Sequence, residues 1–273
     1  MEIFPKGYKG WIRPIAVLAA LGIACAAVVF YMTSMPGKSF SGPLPPLSPE
    51  ETSVAANLKK TINYLAGTVG ERNLIAYRDL QATASFIQSW FESLGYNVQS
   101  QEYVVQMRKV RNLIAEIPGS SKPDEIVIVG AHYDTVYDCP GADDNTSGVA
   151  ALLELARLLK DSHPIRTLRF VAFVNEEPPW SQTDSMGSLV YARQVRKENE
   201  KVVAAISLET IGMYSDDPGT QHYPEPMGLF YPGRGNFIGF VGNLSSRGLV
   251  RRAIRVFRQT TSFPSEGQRL RNG

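Results

Sequence analysis

Three apolar runs constrain the fold most: EIVIVGAH at 125–132, LRFVAFVNEE at 168–177 and VVAAISLET at 202–210. Each is nearly continuous rather than alternating, the pattern of strands buried on both faces beneath covering helices. Helical patterns lie between and before them, at 51–66, 80–94, 146–160 and 187–197. In the second, Phe86, Trp90, Phe91 and Leu94 share one face and Gly95 ends the helix. In the third, Val149, Leu152, Leu153, Ala156 and Leu159 form the expected buried face. Strand-like segments at 97–107 and 111–117 precede the first buried run. This alternation predicts an α/β fold, a mostly parallel mixed sheet flanked by helices in a sandwich.

The N-terminus follows a different pattern. Residues 15–32, IAVLAALGIACAAVVFYM, carry no charge over eighteen positions, about the shortest length that spans a bilayer. Lys6, Lys9 and Arg13 precede the run, which favours a cytoplasmic N-terminus and a chain that continues outside. The expected organisation is a cytoplasmic segment 1–13, a transmembrane or signal-anchor helix 14–33, a proline-rich spacer 34–50 and a globular domain 51–273. The alternative is secretion after signal cleavage. The net charge of +2 does not suggest nucleic acid by bulk electrostatics, and two cysteines, Cys25 and Cys139, exclude a four-cysteine metal site. The arginine-rich stretch 247–259 reads as the solvated side of a helix whose apolar face is Leu249, Ala253, Val256 and Phe257. Nucleic-acid or lipid binding is the competing reading.

In open α/β sheets ligands bind at the carboxyl ends of the strands. Here every buried run ends in a potential metal ligand. The first ends at His132, with Asp134 two residues on; the second at Glu176 and Glu177; the third at Glu209. Asp143 and Asp144 lie in the loop before the third helix. Taken singly, each has a plain structural explanation. A paired Asp before a helix caps it, and a paired Glu after a strand is solvated turn. Together they crowd carboxylates at a cost that a cation would remove. Mixed His and carboxylate ligands suit zinc, less specifically manganese or cobalt, and argue against calcium. A pair of metals needs a bridging carboxylate, and Asp143 is the candidate. Asp138 reads as loop solvation and Cys139 as a loop residue rather than a ligand.

The motifs HYDTV, GADDNTSGVAALLELAR, FVNEE and SLETIG, in this order, resemble the two-zinc metallo-aminopeptidases of the zinc exopeptidase superfamily, relatives of glutamate carboxypeptidases and glutaminyl cyclases. The resemblance spans about 57–263. It implies two Zn2+ ions, with His132 a ligand of the first, Asp143 the bridge, and Asp144 the partner in a cis peptide. It also implies Asp134 as the carboxylate orienting His132, Glu176 as general base and Glu177 as a ligand of the second zinc. Glu209 stands where the family usually has an aspartate ligand. The substrates implied are peptides with a free N-terminus, attacked outside the membrane, with no nucleic-acid partner. The family's late histidine ligand has no clear counterpart. His163 precedes a strand at its far end, and His222 lies in a polar insertion. The expectation is a C-terminally incomplete domain with low peptidase activity in isolation. Two other readings stand beside it: a single-zinc, glutaminyl-cyclase-like acyltransferase, and an inactive ectodomain used for binding, which the retained Glu176 disfavours.

Overall fold

The first two apolar runs form central strands of a five-stranded sheet, and the third forms one of its edges. The computed structural model describes residues 7–269 apart from Pro226 and Phe230. The chain divides into two units, Pro46–Met213 and a second made of Met1–Pro45 with Tyr214–Gly273.

In Pro46–Met213 the elements are α2 (Pro49–Ile62), α3 (Tyr77–Ser93), β1 (Gln99–Val105), β2 (Arg108–Ile117), β3 (Lys122–His132), α4 (Gly148–Leu159), β4 (Arg166–Phe173), α5 (Gly187–Lys197) and β5 (Lys201–Ser207). The sheet order is β1-β2-β4-β3-β5. β4, β3 and β5 run parallel, whereas β2 is antiparallel to both of its neighbours. The parallel strands point their carboxyl ends to one rim, as the sequence pattern predicts.

Local sequence explains where the helices begin and what they bury. Ser48 caps α2: its hydroxyl accepts from the Glu51 amide, while Glu51 accepts from the Ser48 amide at 2.7 Å. Pro49 fits the first turn because its missing N–H has no partner to lose there. On α3 the buried stripe is Leu80, Thr83, Ala84, Ile87 and Phe91. Phe86, Trp90 and Leu94 flank it, partly buried. On α4 Val149, Leu152, Leu153 and Ala156 are buried as expected. These side chains join Leu113, Ala115, Ala131 and Phe170 of the sheet in the main core. The opposite face carries a smaller cluster of Ile114, Ile126, Ile128, Val171 and Tyr191.

The third apolar run departs from expectation. No residue of β5 is buried. β5 ends the strand order, so only one of its edges is paired, to β3. Its apolar composition alone does not distinguish a terminal strand from a central one.

The other unit holds α1 (Gly7–Thr33), β6 (Ile238–Gly242), α6 (Arg247–Thr260) and β7 (Ser265–Arg269), with β6 and β7 parallel. Within α1, Trp11–Val28 has a mean hydropathy of 2.0 and is not buried against the rest of the described chain. It is long and apolar enough to be a membrane-span candidate, as a signal sequence also would be. On α6 the buried residues are Val250 and Ile254, and the Phe257 ring packs 5.3 Å from that of Phe240. Val256, expected on the apolar face, is exposed. The arginines are only in part solvated. Arg252 and Arg255 are exposed, but Arg251 donates to the Ser34 carbonyl, and Arg258 to those of Pro36, Gly37 and Ser265.

Candidate metal centre

His132 is the last residue of β3, paired in register with Phe173 at the end of β4. Its Nε2 lies 3.1 Å from Asp144 Oδ1, 3.2 Å from Glu209 Oε1 and 3.8 Å from Glu176 Oε2. The imidazole is buried, whereas these carboxylates are about half exposed and form the wall of the rim. Two sets of potential ligand atoms converge on it: His132, Asp144 and Glu209, and His132, Glu176 and Glu177. Strand ends thus supply His132, Glu176, Glu177 and Glu209 to one place.

The two aspartates of the loop face different partners. Asp143 was expected to bridge, but its Oδ1 accepts from the Gly212 amide at 2.7 Å and from the Ser147 hydroxyl at 3.3 Å. Asp144 faces His132 instead, and the cis peptide is Asp144–Asn145, one residue later than expected. The tight turn decides which aspartate points inward. Gly141 has φ of 57°, and a Cβ there would collide with the Asp144 carbonyl and the Thr135 side chain. Asn145 then donates to the Leu208 carbonyl at 2.8 Å and to Glu209 Oε2 at 3.2 Å. The loop is thereby tied to the end of β5.

Asp134 does more than orient a ring. Its carboxylate lies 3.5 Å from His132 Nδ1, whose nearer contact is the Asp134 carbonyl at 3.2 Å. The same carboxylate accepts the amides of Glu176 and Glu177, each at 3.1 Å. One buried side chain therefore fixes the backbone of both glutamates. Asn175, just before them, holds φ of 59°, a left-handed conformation that asparagine tolerates and that turns the chain sharply after β4.

Arg72 was not singled out by its sequence context. It is 1 % exposed. Its guanidinium donates to the carbonyls of Tyr133 (3.0 Å), Leu65 (3.1 Å), Gly70 (2.6 Å), Pro140 (2.7 Å) and Gly141 (3.3 Å), and to the Thr146 hydroxyl (2.7 Å). Burial lowers its pKa to about 10, partly offset by Asp134. Asn112, also fully buried, is a second such tie. It donates to the Gly187 carbonyl at 2.8 Å and accepts from the Val174 amide at 3.1 Å.

Charge is concentrated here. Burial pushes the Glu177 carboxyl up to about 7, aided by Asp144, and burial also raises Glu176 and Asp144. Burial would lower the His132 imidazolium, but the hydrogen bonds and charges of Asp134 and Glu209 outweigh it and push the pKa up to about 11. Glu177 Oε1 is buried without a hydrogen-bond partner. An unpaired buried carboxylate oxygen beside further carboxylates fits a cation, and one imidazole among oxygens fits zinc better than calcium.

An apolar cleft of about 520 Å3 adjoins the cluster, lined by Ile128, Phe173, Met186, Tyr191, Val195 and Ile206 together with His132, Glu176 and Glu209. A larger cleft, of about 650 Å3, lies in the other unit between Ser39–Leu44, Tyr214 and Glu266. It has no histidine in its lining, so the smaller cleft is the one that meets the chemistry. His163 lies in the loop before β4, at the strand's opposite end.

A parallel-centred α/β sheet whose strand ends gather one histidine and several carboxylates defines a protein with a histidine–carboxylate centre of the metal-binding type. Residues 112–228 match the family model described as Peptidase family M28. The chain is 40 % identical over 215 residues to an Escherichia coli protein described as "Uncharacterized protein YfbL", covering 76 % of this chain and 65 % of that one. It is 32 % identical over 148 residues to an "Aminopeptidase" of Pseudomonas aeruginosa, covering 54 % of this chain and 25 % of that protein. A "Probable zinc metalloprotease" of Pyrenophora tritici-repentis is 31 % identical over 140 residues, 48 % of this chain and 31 % of that one. The chain therefore spans less than two thirds of each of these relatives. In fold it is similar to LapB of Legionella pneumophila, with a TM-score of 0.58 at 19 % identity over 90 % of this chain and 63 % of that one. A Bacteroides thetaiotaomicron glutaminyl cyclase gives 0.53 at 18 % identity over 83 % and 78 %.

Proposed function

We propose that this chain is a zinc-dependent exopeptidase of the aminopeptidase type, held at a membrane by α1 with its sheet domain outside. The observation that supports this most is the convergence of Asp144, Glu209 and Glu176 on His132 Nε2, beside the unpartnered Glu177 Oε1. His132, Asp144 and Glu209 would hold a zinc ion, with Glu177 reaching towards a second. Bound zinc supplies Lewis acidity to a scissile carbonyl and lowers the pKa of a water.

The chain's own groups do the rest. Glu176 takes the proton of the attacking water on its carboxylate and later releases it to the leaving amine. Its burial-raised pKa favours that return. Asp134 holds the Glu176 amide, so the base sits at a fixed height above His132. The free carboxylates of the rim attract a substrate's protonated α-amine. The adjoining apolar cleft has room for an apolar N-terminal side chain.

The decisive variant is Glu176→Gln. Hydrolysis of leucyl substrates by the zinc-loaded chain should fall by at least about a hundredfold while zinc content is unchanged. Undiminished hydrolysis would mean that Glu176 is not the base. Within Pro46–Met213 the groups gathered for a second ion are His132, Glu176 and Glu177. The single imidazole also suits a one-zinc cyclase. Release of pyroglutamate from N-terminal glutamine peptides, without hydrolysis of leucyl peptides, would establish that reading instead.

A further inference from the structure

We infer that α6 is an anionic-lipid binding surface that lies against the membrane where α1 emerges from it. The inference rests on reading α1 as a bilayer-spanning anchor. α6 carries five arginines and no acidic residue: Arg247, Arg251, Arg252, Arg255 and Arg258. Its opposite face, Val250, Ile254 and Phe257, packs within its own unit. The helix is therefore strongly two-sided, and the basic side follows the membrane exit residue by residue.

Tyr31 lies in the last turns of α1, and the Arg247 guanidinium stacks 3.8 Å from its ring centre. Tyrosines at the ends of spanning helices sit at the headgroup level, so Arg247 is placed at that level too. Arg251 binds the Ser34 carbonyl, and Arg258 those of Pro36 and Gly37 at 3.2 and 3.0 Å. Arg247 thus stacks on the last turns of α1 while Arg251 and Arg258 clasp the first residues beyond it, and together they fix α6 beside it. That leaves Arg252 and Arg255 exposed, joined by exposed Lys38 of the clasped segment. Headgroup phosphates are the anions available at that depth. A basic side chain near an anionic surface is worth about 1 kcal/mol, roughly a fivefold gain in lipid affinity.

The test uses the full chain reconstituted in nanodiscs of phosphatidylcholine with phosphatidylglycerol, and reads the enrichment of phosphatidylglycerol around the protein by native mass spectrometry. Enrichment is expected in the wild type and in R252K/R255K, and should fall roughly tenfold or more in R252Q/R255Q. Both sites are exposed, and an unchanged circular dichroism spectrum would confirm that the fold is retained. Equal enrichment in wild type and R252Q/R255Q overturns the inference. So does a loss confined to duplex DNA or RNA binding with lipid enrichment unaltered, which would make α6 a nucleic-acid surface. An alkaline carbonate wash separates the two levels of failure. If the wild type is extracted from membranes, the anchor itself falls; if it stays embedded without lipid preference, only the assignment of α6 falls.

Discussion

At the scale of single residues, the centre depends on side chains that never face a substrate. Arg72 binds carbonyls from the turn before α3, the end of β3 and the Pro140–Gly141 turn, joining segments far apart in sequence. Lysine is long enough to enter the site but cannot fork to several carbonyls at once. Arg72→Lys should therefore destabilise the fold by about 3 kcal/mol, because buried carbonyls lose their donors. Urea denaturation of both proteins measures this, and a change under about 0.5 kcal/mol would show the network to be redundant. Nothing in the sequence marks Arg72, since a lone arginine in a loop has no periodicity to betray it. The Asp143–Asp144 pair shows the opposite limit. The sequence marks the pair, but which member points inward depends on backbone angles at Gly141 and Asn145 that composition does not encode.

At the scale of elements, the strands and helices were readable because their patterns are local. β3 and β4 are apolar on both faces, and α4 carries its stripe at helical spacing. The solvent exposure of β5 was not readable, because it depends on where the strand falls in the sheet order. The register of the three parallel strands also has an electrostatic clasp. Glu125 of β3 accepts from Arg166 of β4 at 2.6 Å and from Lys201 of β5 at 2.9 Å. Those partners, Lys201 first, lower the Glu125 pKa from 4.5 to about 2. A depressed carboxylate pKa stabilises the fold above the unfolded value and loses that contribution as pH falls towards the folded one. Wild type should thus lose stability relative to Glu125→Gln between pH 4.5 and about 2, and match its pH dependence above that window. Parallel denaturation series would show a constant difference across the window if the clasp contributes nothing. The α2 cap gives a second, smaller effect. Ser48→Ala should cost about 1 kcal/mol and shorten α2 at its first turn, seen as faster amide exchange there.

At the scale of the whole molecule, stability should be uneven. In Pro46–Met213 the amides of β3, β4 and α4 are paired within a core of fully buried side chains. The stretch 214–237 has no strand and only a single three-residue helical turn, Met227–Leu229, among its described residues. Native-state hydrogen exchange should place β3, β4 and α4 at the free energy of global unfolding and 214–237 far below it. Comparable protection in both would mean that the long stretch is ordered by contacts other than regular backbone pairing. The fold class and the rim of strand ends were legible because they follow from the order of elements. The pairing of an N-terminal helix with a C-terminal arginine helix was not, because no local pattern links residues more than two hundred positions apart.

That pairing sets an order of events during synthesis. Ser34, Pro36, Gly37 and Ser39 find their partners in Arg251, Arg258 and Ser265, some 217–226 residues downstream. At roughly 5–20 residues per second, the segment that follows α1 waits on the order of ten seconds or more before those partners exist. During that interval the sheet domain can complete its own parallel core, while α1 stays joined to it through a proline-rich stretch that resists premature helix formation. The arginine helix and β7 then arrive last, so the unit that holds α1 and α6 is the final one to close.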